Sequence, residues 1–162
     1  VLILDEPTDG LDPNQKHQVR SLIQEMAADK VIIISTHILE EVEAVCTRAV
    51  IIDNGILLAD GTAEDLLKRL PDHNAICIVV NREAAVDLTS KLKSLEGVVT
   101  VEQTDLEGDA IRLRCLPSNG AAILDPVSRV VRTSGVPFTE LYQDRGDLDA
   151  VFRQITIASD GT

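Results

Sequence analysis

Val1-Leu2-Ile3-Leu4-Asp5-Glu6-Pro7-Thr8-Asp9-Gly10-Leu11-Asp12-Pro13 is the stretch on which the fold turns. Four apolar residues followed by two carboxylates and a proline predict a strand buried on both faces and stopped at Pro7. Asp12-Pro13 then supplies a helix cap and a first-turn proline. Val19, Leu22, Ile23, Met26 and Ala27 follow at helical spacing, giving an amphipathic helix of about four turns. A second apolar run, Val31 to Ile34, leads through Ser35-Thr36-His37 into a helix with Ile38, Val42, Val45 and Cys46 on one face. Strand, helix, strand, helix in that order implies a parallel sheet, and ligands of open α/β sheets bind at the carboxyl ends of the strands. Asp5, Glu6 and His37 all fall there.

Further along, Ala49 to Ile52 and Ile56 to Ala59 flank Asn54-Gly55, a two-residue hairpin signal. Thr62 and Asp65 start a short helix that ends before Pro71. The polar stretch Pro71-Asp72-His73-Asn74 marks a boundary, so residues 1-71 form one domain and 75-157 a second. The second reads as strand (76–80), helix (Ala85, Leu88, Leu92, Leu95), two strands (98–101 and 111–115), a helix ending near Gly135, and a strand (136–142). That is the split βαβ order of ferredoxin-like units. Leu148, Val151, Phe152 and Ile155 line a last amphipathic helix.

The composition narrows the function. The chain has 162 residues, 15 basic against 27 acidic side chains, a formal net charge of -12, one Tyr, two Phe and no Trp. Such a field repels polyanions and few rings are present to stack on bases, so no nucleic-acid partner is expected. Three scattered cysteines, Cys46, Cys77 and Cys115, lack C-x-x-C spacing and read as reduced, buried thiols. No run reaches the ~20 apolar residues of a spanning helix. His17 on the polar side of its helix and His73 in the linker read as solvated. The acidic runs Glu40-Glu41-Val42-Glu43 and Asp144 to Asp149 read as solvated faces or caps.

Singly, each motif has a plain structural explanation: a solvated turn for Asp5-Glu6-Pro7-Thr8, a cap for Asp12 and for His37, a turn residue for Asp9. Together, V-L-I-L-D-E-P-T, D-G-L-D-P and S-T-H in this order resemble the extended Walker B strand, D-loop and H-loop of the ATP-binding subunits of ABC transporters. The likeness extends through Ile38-Leu39-Glu40-Glu41-Val42-Glu43, Arg48 to Gly55 and Gly61-Thr62. Asp147 to Phe152 is similar to the tail of bacterial exporter-type subunits.

The resemblance implies a fold and a set of roles. The fold is the C-terminal part of a P-loop NTPase α/β domain, with a parallel sheet and helices, followed by a small α+β ferredoxin-like domain. Asp5 would hold Mg2+ through water, Glu6 would polarise the attacking water, and His37 would contact the γ-phosphate. Asp12 would face the nucleotide site of a second ATP-binding subunit. ATP and Mg2+ are the implied cofactors, and transmembrane permease subunits the implied partners, on the cytoplasmic face of the membrane. Asp9 stands where many relatives carry a small residue such as Ser.

The Walker A loop G-x-x-x-x-G-K-[ST], the glutamine loop and L-S-G-G-Q do not occur in the sequence. The expectation is therefore a fragment that binds little MgATP alone and whose first strand has lost a neighbour. An alternative in a different class is a non-catalytic dimerisation or interaction module, with the Asp5 to His37 region a relic. A third is a soluble relative acting on ribosomes or DNA, which the charge disfavours.

Overall fold

A computed structural model describes residues 1–159. The first segment runs β1 (Leu2–Asp5), α1 (Pro13–Ala27), β2 (Ile32–Ser35), α2 (Leu39–Val45), β3 (Ala49–Asp53), β4 (Ile56–Gly61) and α3 (Ala63–Leu67). Next come β5 (Ala75–Asn81), α4 (Arg82–Lys93), β6 (Val98–Asp105), β7 (Ala110–Pro117), α5 (Leu124–Ser134), β8 (Phe138–Asp144) and α6 (Leu148–Ser159). The architecture is mixed α/β. It divides into two compact units, one of residues 1–66 together with α6, the other Leu67–Asp147.

In the first unit β1 and β2 pair in parallel, Leu2 opposite Ile32 and Asp5 opposite Ser35. The intervening α1 is the crossover that a parallel pair needs. Its start is fixed locally: the Gln15 amide donates to Asp12 Oδ1 at 2.9 Å and the Gln15 side chain accepts from the Asp12 amide at 3.2 Å. Asn54 and Gly55 both adopt positive φ, as the tight β3–β4 turn demands. Thr62 and Asp65 cap α3 reciprocally, the Asp65 amide donating to Thr62 Oγ1 at 3.1 Å and the Thr62 amide to Asp65 Oδ2 at 3.3 Å.

In the second unit the strands pair entirely antiparallel in the order β6-β7-β5-β8. Alternation along β7 buries Ile111, Leu113 and Cys115 and leaves Arg112 and Arg114 partly exposed. The core joins these to Ile76, Ile78 and Val80 of β5, Leu88 and Leu92 of α4, and Val127 and Val131 of α5. Gly135, at φ 70, caps α5 in the left-handed conformation. On the outer face Arg114 Nη2 bonds Asp72 at 2.6 Å and Asp144 at 3.0 Å, pinning the entry of β5 to the end of β8.

Four expectations need correction. The strand carrying Leu2 to Leu4 is not buried on both faces among the described residues, because β1 pairs only with β2. Ile3 is 72% exposed and Ile33 53%. The second unit does not extend to 157: α6 packs on α2 and β4, burying Leu148 and Val151, and so belongs with residues 1–66. His73 is not solvated but buried, its Nδ1–H donating to the Arg145 carbonyl at 2.9 Å. Glu41 is not on a solvated face; it is 2% exposed.

Candidate functional site

The parallel register sets the site. Because Asp5 lies opposite Ser35, the residues that follow each strand end side by side at the carboxyl edge. The Ser35 hydroxyl donates to Asp5 Oδ1, and the Glu6 amide donates to the Ser35 carbonyl at 3.0 Å, one step beyond the ladder. Glu6 then leaves the strand at φ 44, a left-handed conformation that costs a non-glycine residue energy and persists only where neighbours enforce it. The turn brings its carboxylate to His37, with Oε1 3.0 Å from Nδ1.

The imidazole is open to solvent and the carboxylate about one-third exposed. The hydrogen bond His37 donates to Glu6, and then the Glu6 charge, push the His37 pKa above the ordinary 6.5. Glu6 Oε2 is buried and has no hydrogen-bond partner among the described residues. A partly exposed carboxylate paired with an imidazole is a combination able to accept a proton or to orient a water. Asp5 is exposed, so its carboxylate is accessible to a cation. No cluster of three His, Cys, Asp or Glu side chains able to hold a metal occurs among the described residues.

Of the four residues singled out from the sequence, Asp5, Glu6 and His37 thus gather at one edge. Asp12 stands apart as the N-cap of α1, at the far end of a loop whose turns are closed by Asp9 N–H to the Glu6 carbonyl, 3.1 Å, and Leu11 N–H to the Thr8 carbonyl, 3.3 Å. Two residues escaped the sequence reading. Thr8, 1% exposed, donates its hydroxyl to Glu41 Oε1, and Arg20 Nη2 lies 3.7 Å from the same oxygen. The signal was present, since Glu41 stands three residues after Ile38 and four before Val45, on the apolar face of its helix.

No protein-family model matches the chain. Curated relatives do. Doxorubicin resistance ATP-binding protein DrrA of Mycobacterium tuberculosis is 28% identical over 165 residues, 96% of this chain and 47% of that protein. Daunorubicin resistance ATP-binding protein DrrA2 of Streptomyces coeruleorubidus is 31% identical over 159 residues, 96% of this chain and 48% of its own length. Nod factor export ATP-binding protein I of Cupriavidus pinatubonensis is 36% identical over 114 residues, 68% of this chain and 32% of its length. The chain spans about half the length, or less, of these relatives. With the three motifs in order and two of them meeting at one sheet edge, the chain belongs to the family of ABC transporter ATP-binding subunits.

Proposed function

We propose that the whole protein couples ATP hydrolysis to export of a solute through transmembrane permease subunits, and that this chain supplies its hydrolytic and switch residues. The observation that carries the reading is the Glu6–His37 contact at the ends of two adjacent parallel strands, beside Asp5. Names of the relatives, which speak of drug resistance and Nod factor export, support the direction of transport.

The donor set suits the cofactors. Mg2+ prefers hard oxygen ligands, keeps several waters and takes one or two carboxylates alongside phosphate oxygens, so a single exposed Asp5 is an adequate protein share. Bound Mg2+ would neutralise phosphate charge. Glu6 orients the attacking water and takes up its proton. His37, held at Nδ1 by Glu6, keeps Nε2 for a phosphate oxygen, and its raised pKa favours the cationic form that donates there. Phosphoryl transfer needs mainly such positioning and charge stabilisation.

Asp12 and its loop would face the nucleotide site of a second ATP-binding subunit, two subunits closing on two ATP molecules. No helix among the described residues is long and apolar enough to cross a membrane. Attachment at the cytoplasmic face would then run through the permease partners. The second unit we read as ferredoxin-like, on the strand order β6-β7-β5-β8 with α4 and α5 as its crossovers.

The deciding experiment is Glu6→Gln in the full-length subunit. A general base is worth about 10²- to 10⁴-fold, so hydrolysis should fall by at least about a hundredfold while nucleotide binding persists. Unchanged hydrolysis would favour the interaction-module reading instead.

A further inference from the structure

We propose that Thr8 and Glu41 form a buried latch that positions Glu6 against His37. The idea rests on the reading of Glu6 and His37 given above, which it deepens. Thr8 lies two residues after Glu6, and Glu41 four residues after His37. The Glu6–His37 contact and the Thr8–Glu41 hydrogen bond therefore close a ring through two short chain segments. Two strand ends held at two points cannot rotate apart as they could about one.

Three observations give the latch its weight. The His37–Glu6 contact is largely exposed, and exposed ion pairs hold geometry weakly. By contrast Thr8 and Glu41 are 1% and 2% exposed, where a hydrogen bond to a carboxylate is protected from water and strong. Glu6, at φ 44, needs its surroundings to hold a conformation it does not favour. The turn that does so, from Glu6 to Leu11, is closed by two long backbone bonds of 3.1 and 3.3 Å and by the Thr8 side chain. Arg20 Nη2, 3.7 Å from Glu41 Oε1, offsets the buried charge, while its Nε is buried without a hydrogen-bond partner among the described residues. Thr8 and Glu41 do not touch the reacting atoms in this scheme; they are positioning residues.

The test compares Thr8→Val, which keeps the shape and removes the hydroxyl, with Thr8→Ser, which keeps the hydroxyl, in this 162-residue chain. Amide exchange of Asp9 and Leu11 and the titration of the His37 ring, both by NMR, are readouts independent of hydrolysis. Thr8→Val should speed exchange at both amides by at least about tenfold, on the scale of one lost hydrogen bond, and move the His37 midpoint toward its ordinary value. Thr8→Ser should restore both. Unchanged exchange and midpoint in a folded Thr8→Val overturn the latch. If Thr8→Val does not fold, Thr8→Ala removes the hydroxyl without setting a methyl against the carboxylate, and is judged by the same readouts. Glu41→Gln still accepts from Thr8, so it should behave like Thr8→Ser; a collapse of both readouts there would assign the role to the Arg20 ion pair and overturn the latch. Unchanged hydrolysis in Glu6→Gln would remove the ATPase reading while leaving this geometry intact.

Discussion

His37 Nδ1 and Glu6 Oε1 stand 3.0 Å apart, although 31 positions separate them in the chain, because each follows the end of one of two paired parallel strands. Glu6 raises the folded pKa of His37 above 6.5. The contact is then fully present below that value and is lost as pH rises through the raised folded one. An NMR titration should place the His37 midpoint above 6.5 in the native chain and return it toward 6.5 in Glu6→Gln. With the ring this exposed, global stability should hardly respond. A midpoint that ignored the substitution would mean the two side chains do not meet in solution.

Asp12 joins the loop to α1 through a reciprocal cap with Gln15. Asp12→Ala should destabilise the first unit by about 1 kcal/mol, the usual worth of an N-cap. Asp12→Asn, which retains the acceptor, should recover most of it. Amide exchange along α1 reports this directly, and the loss should be largest at Gln15.

Gly146 sits at φ 77, and a Cβ there would lie 2.4 Å from Leu70 Cδ1, a buried side chain. Gly146→Ala combines left-handed strain with a steric clash and should cost the second unit about 1–3 kcal/mol. Urea unfolding followed by the fluorescence of Tyr142 on β8, the single tyrosine in a chain without tryptophan, measures it. A midpoint within error of the native one would contradict the assignment.

Burial pushes the Cys115 thiol up to about 12, and burial is also the main cause raising Cys46 and Cys77. Cys46 is only half-buried, whereas the other two lie within the core. At pH 8 an aromatic disulfide reagent should titrate Cys46 slowly. Cys77 and Cys115 should react only as urea unfolds the chain. Three thiols reacting at one rate under native conditions would contradict the burial.

Local chemistry wrote much of this fold plainly into the sequence. Asp12-Pro13, Asn54-Gly55 and Thr62 with Asp65 each specify a cap or turn within four residues, and all three form. The period-two pattern from Ile111 to Cys115 places a strand with one buried face because it records burial directly. What failed was long-range. An unbroken apolar run such as Leu2 to Leu4 tells that a strand exists, but its exposure depends on which neighbours are present. Glu41 and His73 were misread because a titratable side chain looks solvated until a distant partner, Thr8 or the Arg145 carbonyl, is known. At the candidate site the residue types were legible, while the left-handed turn at Glu6 that aims one of them at the other was not.

The return of α6 to the unit that opens the chain gives the protein the plan of a parenthesis. Residues 67–147 are written inside a sentence that resumes at Leu148. A stop codon after Asp147 would therefore not delete the second unit cleanly; it would leave that unit whole and strip Leu148 and Val151 from the first. Excision of the inner span with the C-terminal helix retained is the cut that respects the fold. Removal of α6 damages the unit of residues 1–66 before it touches residues 67–147.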